Sequence, residues 1–169
     1  MKKAVMIIAK ENFRDEELLV PKEILEKSGI EVKVASTTLE VAKGVLGAQV
    51  KPDILVNSIQ AKDFDAVIFI GGAGASQYWN DPVAHALIQS AYNDKRIVAA
   101  ICIAPVTLAK AGILKGKRAT VWSTDAGQLR FNGVEYTGNG VEIDGTIITA
   151  AGPFAAKKFG EEIVKALGV

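Results

Sequence analysis

The chain's one cysteine, Cys102, follows the apolar run Ile97-Val98-Ala99-Ala100-Ile101 and precedes Ile103-Ala104-Pro105. A short continuous apolar run reads as a buried strand, and a proline just beyond it suits the first turn of a helix. A thiol at a strand-to-helix turn is held in a tight elbow at the edge of a sheet. Orphan N–H groups and the helix dipole there are expected to lower its pKa and make it nucleophilic. A lone cysteine is more commonly a buried apolar side chain, and composition alone favours that fate. The strand-to-helix junction shifts the balance towards reactivity. Neither neighbour of Cys102 is glycine, so the fuller glycine-flanked elbow of hydrolases is absent.

Two other places could serve such a thiol. Gly71-Gly72-Ala73-Gly74 follows a second apolar run. Its glycines either bring backbone N–H groups close to an oxyanion or carboxylate, or only permit a tight turn. It lacks the third glycine of a dinucleotide fingerprint, and Gly112 to Arg118 is not a phosphate loop. Glu16 and Glu17 open a helix after the first strand. Glu16 is read as complementing the helix dipole. Glu17, if turned towards Cys102 and buried, would have a raised pKa and could pass protons. The single histidine, His85, lies well inside a helix and is read as a surface or interface residue. No cluster of His, Cys and carboxylates suggests a metal, and no cofactor is expected. Trp79, Trp122 and the phenylalanines are read as packing residues.

The elements that must hold these groups alternate. Apolar runs at Ala4 to Ala9, Glu31 to Ala35, Ala66 to Ile70, Ile97 to Ile101 and Arg118 to Trp122 are separated by amphipathic stretches. Helices are expected over Glu16 to Lys27, with Pro21 kinking it or removing one hydrogen bond, and from Asp81-Pro82 to about Asn93. A helix from Pro105 ends at Gly112, a short one runs from Asp125 to Arg130, and Phe154 to Leu167 closes the chain. Val41 to Val56 suggests a short hairpin or edge strands. Val134 to Tyr136, Val141 to Ile143 and Thr146 to Ala150 read as strands, the last two joined by an Asp144-Gly145 turn. This order predicts a doubly wound α/β sandwich with a mostly parallel sheet, whose ligands bind beyond the carboxyl ends of the strands.

At 169 residues and 17.9 kDa the chain is one domain, able to bury roughly 70% of its unfolded surface without disulfides. With 49% hydrophobic and 23% charged residues it is not disordered. A net charge of +1 and 7% aromatics argue against nucleic acid or an anionic membrane as partner. The N-terminus resembles a signal peptide, but its apolar run is too short, and it reads as a buried strand. One cysteine and no long apolar run point to a cytoplasmic protein.

Glu17-Leu18-Leu19-Val20-Pro21, Gly71-Gly72-Ala73-Gly74-Ala75 and Ala99-Ala100-Ile101-Cys102-Ile103-Ala104-Pro105, in this order, resemble the DJ-1/PfpI superfamily. Val141 to Gly145 and Thr149 to Pro153 are similar to its C-terminal segment. The resemblance covers nearly the whole chain and implies a three-layer, flavodoxin-like α/β/α sandwich with a nucleophile elbow. It implies Cys102 as the elbow nucleophile, Glu17 as its hydrogen-bonding acid, and Gly72 and Ile103 as oxyanion donors, with Gly71 and Ala73 beside them. Two departures stand out. PfpI-type proteases carry His directly after the cysteine, where this chain has Ile103. The Parkinson-associated branch carries Arg before its C-terminal Gly-Pro, where this chain has Ala151.

The activity implied is that of a glyoxalase or deglycase acting on a small 2-oxoaldehyde, without metal or thiol cofactor. A redox-sensing stress protein is the alternative, and an intracellular cysteine peptidase ranks third for want of a histidine base. The resemblance also implies a homodimer or larger homo-oligomer.

Overall fold

The computed structural model describes all residues, 1–169. The strands, in chain order, are β1 (Lys3–Ile7), β2 (Glu11–Phe13), β3 (Glu31–Ser36), β4 (Ala42–Gly44), β5 (Gln49–Val50), β6 (Ile54–Leu55), β7 (Ala66–Phe69), β8 (Ile97–Ile101), β9 (Arg118–Ala119), β10 (Glu135–Tyr136), β11 (Val141–Asp144) and β12 (Ile147–Ala150). The helices are α1 (Asp15–Lys27), α2 (Pro82–Asn93), α3 (Pro105–Lys110), α4 (Ala126–Phe131) and α5 (Ala156–Ala166).

Seven strands form the central sheet in the order β11-β12-β8-β7-β1-β3-β6, and only β11 runs antiparallel to its neighbour. Successive side chains of a strand point to opposite faces, and here both faces are buried. Val5, Ile7, Val67 and Phe69 face a core that includes Leu87 and Ile88 of α2 and Leu108 of α3. Ala4, Met6, Ile68 and Ile101 face Leu18 and Leu25 of α1 and Phe159 and Ile163 of α5. This is the doubly wound three-layer sandwich that the alternation predicts.

The helix boundaries follow local chemistry. Asp81 caps α2 by accepting from the Val83 amide at 3.0 Å, with Pro82 at the first helical position. Pro21 lies inside an uninterrupted α1. It cannot donate to the carbonyl of Glu17, four residues back. Its ring faces Gly160 of α5, where an added Cβ would lie 3.0 Å from the Pro21 Cα, so proline and glycine let the two helices approach.

Two expectations change. Val41 to Val56 holds both alternatives at once: β4 and β5 form a hairpin, and β6 is an edge strand of the central sheet. Arg118 to Trp122 is not a fifth central strand. Only Arg118–Ala119 is extended enough to pair, and it pairs with β10 in a separate ribbon. The place beside β8 is taken by β12, whose other edge is taken by β11 and whose Thr149 hydroxyl accepts from the Thr120 amide at 3.0 Å.

Candidate active site

β8 delivers Cys102 to the carboxyl end of the sheet, where the backbone enters the left-handed region at φ 65. That conformation is costly for a residue with a Cβ. It is held from both sides: the Cys102 amide donates to Ala150 at 2.9 Å, and its carbonyl accepts from the Trp122 amide at 2.8 Å. The residue is only 9% exposed.

Glu17 is wholly buried in the first turn of α1. One carboxyl oxygen, Oε1, accepts from the Gly71 amide at 3.0 Å, and Oε2 has no hydrogen-bond partner of good geometry. Between Glu17 and Cys102 there is no room for a side chain. A Cβ on Gly71 would lie 2.5 Å from both the Cys102 Cβ and Glu17 Oε1. Gly72, at φ 99, is pressed on the backbone of residues 12–14 in the same way, and the Arg14 amide donates to the Gly71 carbonyl at 2.9 Å. Asp15, next along α1, accepts from the Leu46 and Ala48 amides at 2.9 and 2.8 Å, which pins the β4–β5 hairpin over the site.

The thiol and the carboxyl set each other's ionisation. Burial pushes Glu17 up to about 7, against the Cys102 thiol and the Gly71 amide, which both favour its anion. Burial also pushes the Cys102 thiol up, to about 12. The Glu17 carboxylate adds to that rise, while the Gly72 and Ile103 amides oppose it. The expected acidic thiol is therefore corrected. α3 begins only at Pro105 and is six residues long, so its dipole is weak and distant, and desolvation wins.

Over the sulfur lies a cleft of about 310 Å³, lined by Arg14, Val45, Gly72, Ala73, Cys102, Ile103, Trp122 and Pro153. The structure thus gathers all six sequence-derived residues: Gly72, Ala73, Cys102 and Ile103 on the cleft wall, Gly71 and Glu17 directly behind. A larger cleft of about 570 Å³ against α2 contains neither a cysteine nor a buried acid. No group of three or more His, Cys, Asp or Glu side chains is placed to hold a metal ion.

Sequence reading missed Arg14 and Trp122 on the cleft wall. Arg14 lies in the segment after β1, where open α/β sheets place ligands, and a charged residue three before Glu17 was the available signal. Trp122, read as packing, is 40% exposed, and Phe131 and Phe154 are also exposed rather than packed. Nor is Glu16 only a dipole partner, since it grips the Arg14 guanidinium with Nε–Oε1 at 3.0 Å and Nη2–Oε2 at 2.9 Å. His85, read as a surface or interface residue, is half-buried and does not line the Cys102 cleft. Its Nε2 donates to the Trp79 carbonyl at 2.8 Å, and the Trp79 indole N–H donates to the Ile103 carbonyl at 3.2 Å.

A mostly parallel sheet, a cysteine on a left-handed strand-to-helix turn, a buried acid behind it and a glycine loop beside it define the class: an α/β protein with a cysteine at a strand-to-helix elbow. Residues 2–166 match the model of the DJ-1/PfpI family, and the chain belongs to that family. The glutathione-independent glyoxalase DJR-1.2 of Caenorhabditis elegans is 30% identical over 98% of this chain and 89% of its own. Deglycase PfpI of Pyrococcus furiosus is 28% identical over 96% of this chain and 98% of its own. Among solved structures, a ThiJ/PfpI domain protein of Brachyspira murdochii superposes with a TM-score of 0.96 at 33% identity, covering 98% of this chain and 96% of its own. No helix is long and apolar enough to cross a membrane.

Proposed function

We propose that this protein is a cysteine-dependent enzyme of the glyoxalase or deglycase type, acting on 2-oxoaldehydes such as methylglyoxal without metal or glutathione. Relatives named glyoxalase and deglycase support the class. The observation that carries the reading is the position of the wholly buried Glu17 carboxyl directly behind the elbow thiol, with Oε1 held by the Gly71 amide at 3.0 Å and burial raising its pKa to about 7. A group with that pKa can accept and return a proton near neutrality.

The raised thiol makes base-assisted attack the entry step. As the sulfur bonds to the aldehyde carbon, Glu17 takes the thiol proton and hands it to the carbonyl oxygen, which becomes a hemithioacetal hydroxyl and leaves Glu17 an anion again. The Gly72 and Ile103 amides stabilise the developing oxyanion. Glu17 then moves the proton from the former aldehyde carbon to the neighbouring carbonyl carbon by way of an enediol. The first carbon is thereby oxidised to a thioester and the second reduced to an alcohol. Water cleaves the thioester, releasing a 2-hydroxy acid and restoring the thiol.

The test is lactate formation from methylglyoxal. Wild type is expected to form it and Cys102→Ala to form none. No lactate above the Cys102→Ala control overturns the reading.

One observation favours a second reading as a redox sensor. The buried Glu17 Oε2 lacks a partner and could, when protonated, donate to a sulfinate oxygen on Cys102. Intact mass after mild peroxide separates the two: a gain of two oxygens on Cys102 with no lactate activity supports the sensor, and an unmodified Cys102 removes it. The peptidase reading stays last, since His85 is bonded to the Trp79 carbonyl and Ile103 follows the cysteine.

A further inference from the structure

Arg14 is the one charged side chain on the wall of the Cys102 cleft, among Val45, Ala73, Ile103, Trp122 and Pro153. Its backbone is fixed by the bond from its amide to the Gly71 carbonyl at 2.9 Å. Its guanidinium is oriented by Glu16 through Nε and Nη2, and Nη1 makes no hydrogen bond within the protein. The guanidinium is also close enough to Cys102 and Glu17 to be felt by both. A cation so placed, with one donor edge free, fits an anionic oxygen on a molecule whose other end reaches the sulfur. About 310 Å³ is at the small end of ligand clefts and suits a molecule of a few carbons.

We infer that the cleft takes a short carbonyl compound bearing a carboxylate, with Arg14 binding the carboxylate and so selecting acidic over neutral substrates. The carbonyl half rests on the function proposed above, and the carboxylate half stands on the position of Arg14 alone. Glu16 plays a positioning part. It occupies two donors of the guanidinium and leaves Nη1 available to the cleft. Glu16 is paired with the guanidinium, and the Asp15 carboxylate is bound by the Leu46 and Ala48 amides, so with Glu17 protonated a carboxylate entering the cleft meets a net attraction.

The test uses two alkylating agents of nearly equal size, one anionic and one neutral. Iodoacetate and iodoacetamide both form an S–C bond to Cys102 and expel iodide, while the thiol proton passes to Glu17 or solvent. Their rates are followed by intact mass on wild type, Arg14→Lys and Arg14→Gln, each checked for an unchanged thermal transition. Any change in thiol ionisation cancels in the ratio of the two rates. The iodoacetate-to-iodoacetamide ratio is expected to fall about tenfold in Arg14→Gln and less in Arg14→Lys, and to shrink for wild type at high salt. A ratio equal in wild type and Arg14→Gln, or insensitive to salt in wild type, overturns the inference. If Arg14→Gln fails to fold, the lysine variant and the salt series still decide. Alkylation needs no turnover. A lost lactate assay with an intact charge-dependent ratio therefore sinks only the glyoxalase reading, and the converse result sinks only this one.

Discussion

Two adjacent central strands, β7 and β8, are left by turns that both need a left-handed residue, and the chain meets that need in opposite ways. After β7 the residue is Gly72 at φ 99; after β8 it is Cys102 at φ 65. For glycine the conformation is nearly free, whereas for a residue with a Cβ it costs roughly 1–2 kcal/mol. The first turn is emptied of side chains so that its backbone can press on residues 12–14 and present an amide. The second keeps its side chain and carries the strain, so that a sulfur projects into the gap the glycines leave. Close approach and chemical function are thus divided between neighbouring turns.

The largest expected effect comes from filling the emptied turn. Gly72→Ala would place a Cβ 2.5 Å from the Arg14 amide nitrogen and 2.7 Å from the Phe13 carbonyl carbon, in a backbone conformation that alanine resists. Those are backbone atoms of β2 and of the α1 cap, so nothing flexible can give way. A loss of more than about 3 kcal/mol in denaturant unfolding is expected. A loss under about 1 kcal/mol would mean that the turn is not held by close approach.

The next effect lies behind the strained turn. The folded pKa of Glu17 is raised to about 7 from an ordinary value near 4.5. The native state then holds a proton that the unfolded chain has released, and stability falls as pH rises from about 4.5 through about 7. Glu17→Gln removes that penalty while its amide oxygen can still accept from Gly71. The variant is expected to match wild type at pH 4 and to exceed it at pH 8 by up to about 3 kcal/mol. Chemical denaturation at the two pH values checks this, and a pH-independent difference would show that the carboxyl is not the titrating group. Lactate formation should be lost in the same variant.

The comparison of the turns can be sharpened at Cys102 itself. Cys102→Gly should be about 1 kcal/mol more stable than Cys102→Ala, reversing the usual order of the two residues, because glycine relieves the left-handed strain and alanine does not. Equal stabilities would place the strain elsewhere.

The alternation of apolar runs with amphipathic stretches made the layers of the sheet legible, since period and length report which faces are buried. Cys102 and Gly72 were legible too, because strand-to-helix junctions are local in sequence. Three things were not. The direction of the thiol's shift depends on desolvation and on a carboxyl 85 residues away in the chain (102 minus 17), and no local pattern encodes either. The absence of Arg118 to Trp122 from the central sheet depends on β12 taking the place beside β8 and β11 the place beside β12. Arg14 and Trp122 enter the cleft only because two loops and the end of β8 converge in space.

The smallest expected effect concerns what keeps the strained turn in place. The Ile103 carbonyl, one residue beyond the elbow, accepts from the Trp79 indole at 3.2 Å, and His85 holds the Trp79 backbone from the other side. Trp79 belongs to the segment that leaves the glycine turn, so this bond ties the two turns together. Trp79→Phe keeps an aromatic ring and removes only the donor. One hydrogen bond at a half-buried carbonyl is worth about 0.5–1.5 kcal/mol, so the stability loss should be modest. The informative readout is the iodoacetamide rate at Cys102, which depends on how the Ile103 amide faces the sulfur. A rate altered a few-fold, with the thermal transition nearly unchanged, would make Trp79 a positioning residue for the elbow. An unchanged rate would mean that the Ala150 and Trp122 backbone bonds hold the turn without it.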